Sequence, residues 1–169
     1  MALGTNGKDI LIALGGITSS DEAMQLCEKK MDDKQFSRIK DIKNAEITLK
    51  IANAIVMCDP DSIFVNTGSK EDRQFIRELS LKNGEEATLP MENHTIHYDL
   101  KDEQGRIVDR TFYIANEGEH ISSLANKMIR DEAMKDVLEK MTGIMKGKTM
   151  MIGFYMRGPV GSPVSNPAL

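Results

Sequence analysis

The chain is poor in the residues that usually betray a ready-made chemical site. It has only two cysteines, Cys27 and Cys58. They fall in separate helix-patterned segments without metal-ligand spacing, which argues against a disulfide framework and makes a reduced, cytoplasmic chain the expectation. Positive charge is not in excess either. Lys and Arg number 22 against 26 Asp and Glu, the formal net charge is -4 and the pI is near 5.4. That balance speaks against a nucleic-acid partner. No apolar run approaches the roughly 18 residues that cross a bilayer, and LIALGGI at 11–17 is too short and poorly flanked to be a good signal peptide, so no membrane partner is expected. Neither a repeat nor a linker divides the 169 residues. The expectation is therefore a mobile segment over 1–18 followed by a single α/β domain over 19–169.

Among what is present, Thr142-Gly-Ile-Met-Lys-Gly-Lys-Thr149 ends like a phosphate-binding loop. Such a loop needs its first glycine five residues before the second, so that successive N–H groups curl around the phosphates before Lys and Thr arrive. Counting back from Gly147 reaches Thr142, and Gly143 is one residue too close. The context is also reversed, with helix-like sequence before and strand-like sequence after. The competing reading is that Gly143 ends a helix, Gly147 turns the chain and Lys148-Thr149 open a buried strand.

The remaining elements follow from local signals. Ser19-Ser20-Asp21-Glu22 reads as an N-cap with acids in the first turn, leading into Met24, Leu26, Cys27 and Met31. A longer helix is expected over about 33–57, up to the break at Asp59-Pro60. Ser62–Asn66 reads as a strand, Thr67-Gly68-Ser69 as a turn and the acidic stretch after it as a helix capped by Ser69 and closed at Asn83-Gly84. Anion binding at that helix start is the alternative to simple capping, but Glu71 and Asp72 already occupy the field. His94 and His97 lie three apart, so on a strand they face opposite ways and do not chelate one ion. Residues 102–106 read as a turn and Arg110–Ile114 as a strand. Residues 120–141 read as a helix with a break near Arg130-Asp131. Helices first, then strands interspersed with helices, predict a mixed sheet flanked by helices. The 12 methionines suit adaptable core filling.

The last stretch is the most specific. Met145-Lys-Gly-Lys-Thr-Met150, then Phe154-x-Met156, then Gly158-Pro-x-Gly-Ser-Pro163 resembles the GTP-dependent phosphoenolpyruvate carboxykinases, in which a similar K-G-R-T-M strand runs into an F-x-M-G-P-x-G-S-P loop. Phe64-Val-Asn-Thr-Gly-Ser69 is similar to that family's early strand and D-G-S turn, and Gly105-Arg106-Ile107 to Arg110-Thr111 to its A-R-I-E-S-K-T segment. The resemblance spans about 60–167. Arg157 is extra relative to the commonest loop and Gly153 replaces a frequent proline, departures that point to an archaeal-like branch.

The resemblance implies the amino-terminal part of an enzyme of gluconeogenesis that decarboxylates oxaloacetate and phosphorylates the enolate from GTP, with manganese or magnesium, to give phosphoenolpyruvate, GDP and carbon dioxide. It further implies that the metal ligands, the nucleotide loop and the guanine pocket belong to a carboxy-terminal lobe outside this sequence. No catalytic, cofactor-binding or metal residue is then expected here, the chain alone is expected to be inactive, and apolar surface made to face the other lobe would favour self-association. One site residue carries over: Arg106 matches the arginine that holds the substrate carboxylate, with Arg110 as the neighbouring alternative. A guanidinium suits that role because its planar fork of donors grips a carboxylate bidentately and stays charged. Without the resemblance, Arg106 reads as a solvated turn residue. The alternative of a different class is a free-standing binding or scaffold module sharing this domain. Against it, the chain stops in Pro163-Val-Ser-Asn-Pro-Ala-Leu169, a Pro-rich connector just after a strand.

Overall fold

The computed structural model describes residues 16–99 and 107–168. Residues 1–15 of the expected mobile segment, and the expected turn at 102–106 with Arg106, lie outside the described residues. Chain contacts gather into two compact units, one comprising Met1–Thr67 with Val137–Leu169 and the other Gly68–Asp136.

The first unit opens with helix α1, Ser20–Lys30, whose first turn is capped by Ser19 Oγ accepting from Glu22 N. Ala23 and Cys27, one turn apart and fully buried, form its inner face, and Met31 follows at the next turn. The expected helix over 33–57 is two helices, α2 (Asp33–Ser37) and α3 (Ala45–Cys58). Two caps divide it. Asp32 Oδ1 accepts from Gln35 N at 2.8 Å, and Asn44 Oδ1 accepts from Glu46 N at 3.0 Å. Ile39, which by spacing belonged to a continuous helical stripe, is buried from the turn between them. Helix α3 packs on α1 and ends where expected, with Asp59 in the left-handed region at φ 49° and its N–H on Ile55 O. Within α3, buried Asn53 reaches back to the chain before α1. Its Oδ1 accepts from Ile17 N at 2.7 Å and its Nδ2 donates to Ile17 O at 3.1 Å, so both polar groups of the amide are satisfied.

Strand β1, Ser62–Asn66, falls where the sequence predicts it. Ile63, Phe64 and Val65 are buried in succession, the continuous apolar pattern of a strand in a parallel pair. Its partner is strand β6, Thr149–Gly153, in parallel register from Ser62↔Thr149 to Asn66↔Gly153. The far edge of β1 is closed by side chains of α2 and of the residue that caps its end. Gln35 Oε1 accepts from Val65 N at 2.8 Å, and Arg38 Nη1 donates to Val65 O and to Gln35 Oε1. The Arg38 guanidinium also lies 5.5 Å above the Phe64 ring. The core of this unit gathers Cys27, Ile39, Ile51, Ile55, Val65 and Ile152 with their neighbours. Its last strands, β7 (Tyr155–Arg157) and β8 (Asn166–Ala168), pair antiparallel. The strand expected to open at Lys148-Thr149 thus breaks at Phe154, and β8 forms where the sequence suggested only a connector.

In the second unit, helix α4 (Lys70–Asn83) is capped by Ser69 Oγ on Asp72 N and closed by Gly84 at φ 74°, as its sequence predicts. A short antiparallel pair follows, β2 (Ala87–Thr88) with β3 (Thr95–Ile96). Strand β4, Phe112–Ala115, runs parallel to β5, Asn126–Ile129, in register from Phe112↔Asn126 to Ala115↔Ile129. Residues 126–129, expected to be helical, are therefore strand, and helix α5 spans only Arg130–Met141. The α/β class is as expected, with both parallel and antiparallel pairing, in four two-stranded sheets among the described residues.

Two outcomes follow for the first unit. Gln35→Ala strands the buried Val65 N–H and removes a partner of Arg38; a loss of about 1–3 kcal/mol in urea unfolding is expected, against no change for the exposed Ser37→Ala. Burial pushes the Cys27 thiol up to about 11 from 9.0. Below pH 9 the thiol is neutral folded and unfolded. Between about 9 and 11 only the unfolded form ionises, so stability falls across that window by about 2–3 kcal/mol. Urea midpoints at pH 8 and pH 11 should therefore converge in Cys27→Ala relative to the parent.

Candidate functional site

Strand β4 is entered through a tight turn, Ile107 to Thr111, with one 3-10 turn over Val108–Arg110. Arg110 N donates to Ile107 O at 3.0 Å, Thr111 N to Val108 O at 3.2 Å, and Thr111 Oγ1 back to Ile107 O at 2.8 Å. Arg110 is solvent-exposed, and its guanidinium has no hydrogen bond or ion pair with any described residue. An unpaired guanidinium on a turn is free to take an anionic ligand. Arg106, the preferred candidate, directly precedes this turn but lies outside the described residues, so the structure positions only the alternative, Arg110. Beside the turn opens a cleft of about 540 Å³, lined by Val108, Thr111, Tyr113, His120, Leu124 and Asn126 among others. Its walls are apolar with a few hydroxyl, amide and imidazole groups, a mixture suited to a small polar ligand.

The loop that ends in Gly-Lys-Thr has a different fate. Every backbone N–H from Thr142 to Lys148 is already used within the protein. Those of Thr142, Ile144, Lys146 and Lys148 go to carbonyls three or four residues back. Those of Gly143 and Met145 go to Met57 O at 2.8 Å and Cys58 O at 2.9 Å, and that of Gly147 goes to Asp61 Oδ1 at 2.8 Å. The loop therefore caps the carbonyl end of α3, the negative end of its dipole, with Asp59 and Asp61 close by. A phosphate would find no free backbone N–H there, at the negative end of a helix. Gly143 and Gly147, at φ 68° and 76°, supply left-handed turns, in keeping with the structural reading of this stretch.

The Gly-Pro loop joins β7 to β8. Gly158 sits at φ 106°, and a Cβ there would lie 2.5 Å from Ser165 Oγ. That hydroxyl donates to Pro159 O at 2.6 Å, so the glycine leaves room for the serine that closes the loop. Val160 and Val164 at the tip are 87% and 83% exposed. His94 and His97 flank β3 and have separate partners, Nδ1 of His94 meeting Glu92 O and Nε2 of His97 meeting Asp99. Among the described residues no three His, Cys, Asp or Glu side chains are grouped to hold a metal.

What the sequence did not reveal is Asn126. Its Nδ2 donates from β5 to Val108 O at 2.6 Å and to Thr111 O at 3.4 Å, bracing the arginine turn. The stretch around it reads as helix, and no local signal marked it.

A parallel strand pair entered through an arginine-bearing turn in one unit, and a Gly-Pro hairpin in the other, accompany helices in an α/β arrangement. Residues 50–169 match the family model of the phosphoenolpyruvate carboxykinase N-terminal domain, and the chain belongs to that family. It is similar to phosphoenolpyruvate carboxykinase (GTP) of Thermococcus sibiricus, 38% identical over 142 residues, covering 84% of this chain and 23% of that protein. The protein of the same description from Pyrococcus furiosus is 36% identical over 149 residues, 88% of this chain and 24% of the relative. That from Saccharolobus solfataricus is 32% identical over 126 residues, 75% and 20%. The chain spans about a quarter of the length of these curated relatives. Their archaeal source agrees with the branch that the loop departures implied.

The capping role of the Gly-Lys-Thr loop separates two substitutions. Asp61→Ala, which releases Gly147 N–H, should lower the unfolding midpoint, whereas Lys148→Ala should leave it unchanged. A GTP titration of the chain followed by fluorescence should show no binding that depends on Lys148; saturable binding that Lys148→Ala abolishes would restore the phosphate-loop reading.

Proposed function

We propose that this chain is the substrate-binding amino-terminal domain of a phosphoenolpyruvate carboxykinase, a carboxy-lyase acting in the cytoplasm. The enzyme would convert oxaloacetate and GTP to phosphoenolpyruvate, GDP and carbon dioxide, in the service of gluconeogenesis. The match of residues 50–169 to that domain family carries this reading. The described residues neither group metal ligands nor leave loop donors open to a nucleotide. In this reading GTP and manganese or magnesium belong to the carboxy-terminal lobe of the same enzyme, as the family resemblance implies.

The contribution of this domain is positional. Arg106, with Arg110 as the alternative, grips a carboxylate of oxaloacetate through two parallel N–H···O bonds. Holding that group fixes the orientation of the bond to the departing carbon dioxide, which turns a loose encounter into an aligned one. The exposed guanidinium of Arg110 and the cleft at its turn support a small anionic substrate. Exposed apolar side chains in each unit, Phe112, Tyr113 and Ile114 in one and Phe154, Tyr155 and Met156 in the other, fit surface made to meet further protein. In its absence they would drive the chain to self-associate, which light scattering of the purified chain would detect; a clean monomer at high concentration contradicts it.

Two measurements test the reading. The purified chain, given oxaloacetate, GTP and manganese, should form no phosphoenolpyruvate, since the groups that stabilise a transferring phosphoryl lie elsewhere; robust turnover would overturn the division of labour. In the complete enzyme, Arg106→Ala should lower kcat/KM for oxaloacetate roughly ten- to hundredfold, corresponding to about 1.5–3 kcal/mol for a charge-assisted pair. Arg106→Lys should cost less, and GTP affinity should stay unchanged. Should Arg110→Ala take the loss instead, the site belongs to Arg110; indifference at both positions rejects the carboxylate role.

A further inference from the structure

Of the two arginine candidates, Arg110 belongs to the Ile107–Thr111 turn, which therefore supports it directly. The turn is stabilised internally by three bonds, Arg110 N to Ile107 O, Thr111 N to Val108 O and Thr111 Oγ1 to Ile107 O. A single 3-10 turn with such bonds is weak by itself, because its hydrogen-bond geometry is poorer than that of an α-helix and it has no cooperative length. What it gains from another element is the carboxamide of Asn126. The two hydrogens of Nδ2 go to two carbonyls of the turn, Val108 O at 2.6 Å and Thr111 O at 3.4 Å. Asn126 is itself fixed, since it opens β5 opposite Phe112 in the parallel register. The brace thus ties the start of β4 to the start of β5 and sets the angle at which the turn leaves the strand pair. Asn126 also lines the cleft beside the turn, so its position and that of the cleft wall are coupled.

We infer that Asn126 is a positioning residue for substrate binding, holding the arginine turn against β5 so that the guanidinium meets the carboxylate in one geometry. The inference rests on the proposed carboxylate role of Arg106 or Arg110. Asn126 touches neither the metal nor the nucleotide in this scheme and acts only through the turn. Its chemistry is specific, because one amide nitrogen donates to both carbonyl oxygens. An aspartate of the same shape would set carboxylate oxygens against carbonyl oxygens, so Asn126→Asp should be worse than Asn126→Ala, the reverse of what loss of volume predicts.

The test uses the complete enzyme with Asn126→Asp, Asn126→Ala, Arg106→Ala, Arg110→Ala and the double variants of Asn126→Asp with each arginine change. Hydrogen exchange of peptides covering 107–111 is followed in the same proteins. Faster exchange of the turn is expected in both Asn126 variants, with KM for oxaloacetate raised roughly three- to tenfold, more in Asp than in Ala. GTP affinity and melting temperature should be near the parent's. Combined with loss of the operative arginine, Asn126→Asp should add almost nothing, the non-additivity of a residue acting through its neighbour. Three results would overturn the inference: unchanged KM and exchange in both Asn126 variants while an arginine variant keeps its effect, a full additive penalty in the double variants, or a loss confined to melting temperature. If neither arginine variant changes KM, the carboxylate reading itself has failed and the positioning role falls with it.

Discussion

The parallel pairing of β1 with β6 is the constraint on which the first unit depends, and it is a costly one to form. Ser62 and Thr149, whose hydroxyls meet at 2.7 Å, lie 87 residues apart in sequence. The entire second unit, Gly68–Asp136, is inserted between the two strands. Closing so long a loop costs entropy before any contact repays it, although the cost grows only slowly with length. Repayment comes from the burial of Ile63, Phe64 and Val65 on one strand and Met150 and Ile152 on the other. The pair would still leave β1 with an open, buried edge. Gln35 and Arg38 supply the missing donor and acceptor there, doing with two side chains what a third strand would do with its backbone.

The same accounting of backbone groups explains why a Gly-Lys-Thr sequence can be present without phosphate binding. A phosphate loop works because its N–H groups are left unpaired and converge at the positive end of a helix. Here they converge on Met57 O, Cys58 O and the Asp61 carboxylate at the negative end of α3. The glycines serve a turn in both settings. What differs is where the N–H groups point, which depends on whether helix or strand comes first.

Sequence patterns were readable where a local signal and its tertiary use coincide. Ser62–Asn66 is apolar and β-branched and is buried on both faces; Ser69 and Gly84 are cap residues that cap. They misled where spacing was shared by two structures. Ile39 and Ile42 continue a helical stripe, yet Asp32 and Asn44 each start a new helix, and a cap bond outweighs a weak propensity over a few residues. Residues 126–129 become strand only because Phe112–Ala115 lies alongside, a non-local cause that no window of sequence contains. Of the candidate site, the arginines were visible through the family motif alone. Asn126 was invisible because its partners are main-chain carbonyls, which carry no side-chain signature.

The size of the effect that such a brace can have is bounded by physical terms. Fixing the turn removes backbone freedom, about 1–2 kcal/mol per residue held in a single conformation. It leaves the arginine side chain its own rotamers, worth about 2 kcal/mol, to be lost when the carboxylate arrives. Asn126 can therefore lower the cost of presenting the guanidinium but cannot replace the charge-assisted bonds that the guanidinium makes. Its hydrogen bonds are also between neutral groups on an exposed surface, the weaker kind. A positioning residue of this type must act by less than the residue it positions, and it acts on binding before it acts on chemistry. That ordering follows from the geometry of two carbonyls on one amide, and it distinguishes a brace from a second carboxylate ligand, which would contribute on its own account whether or not the arginine were there.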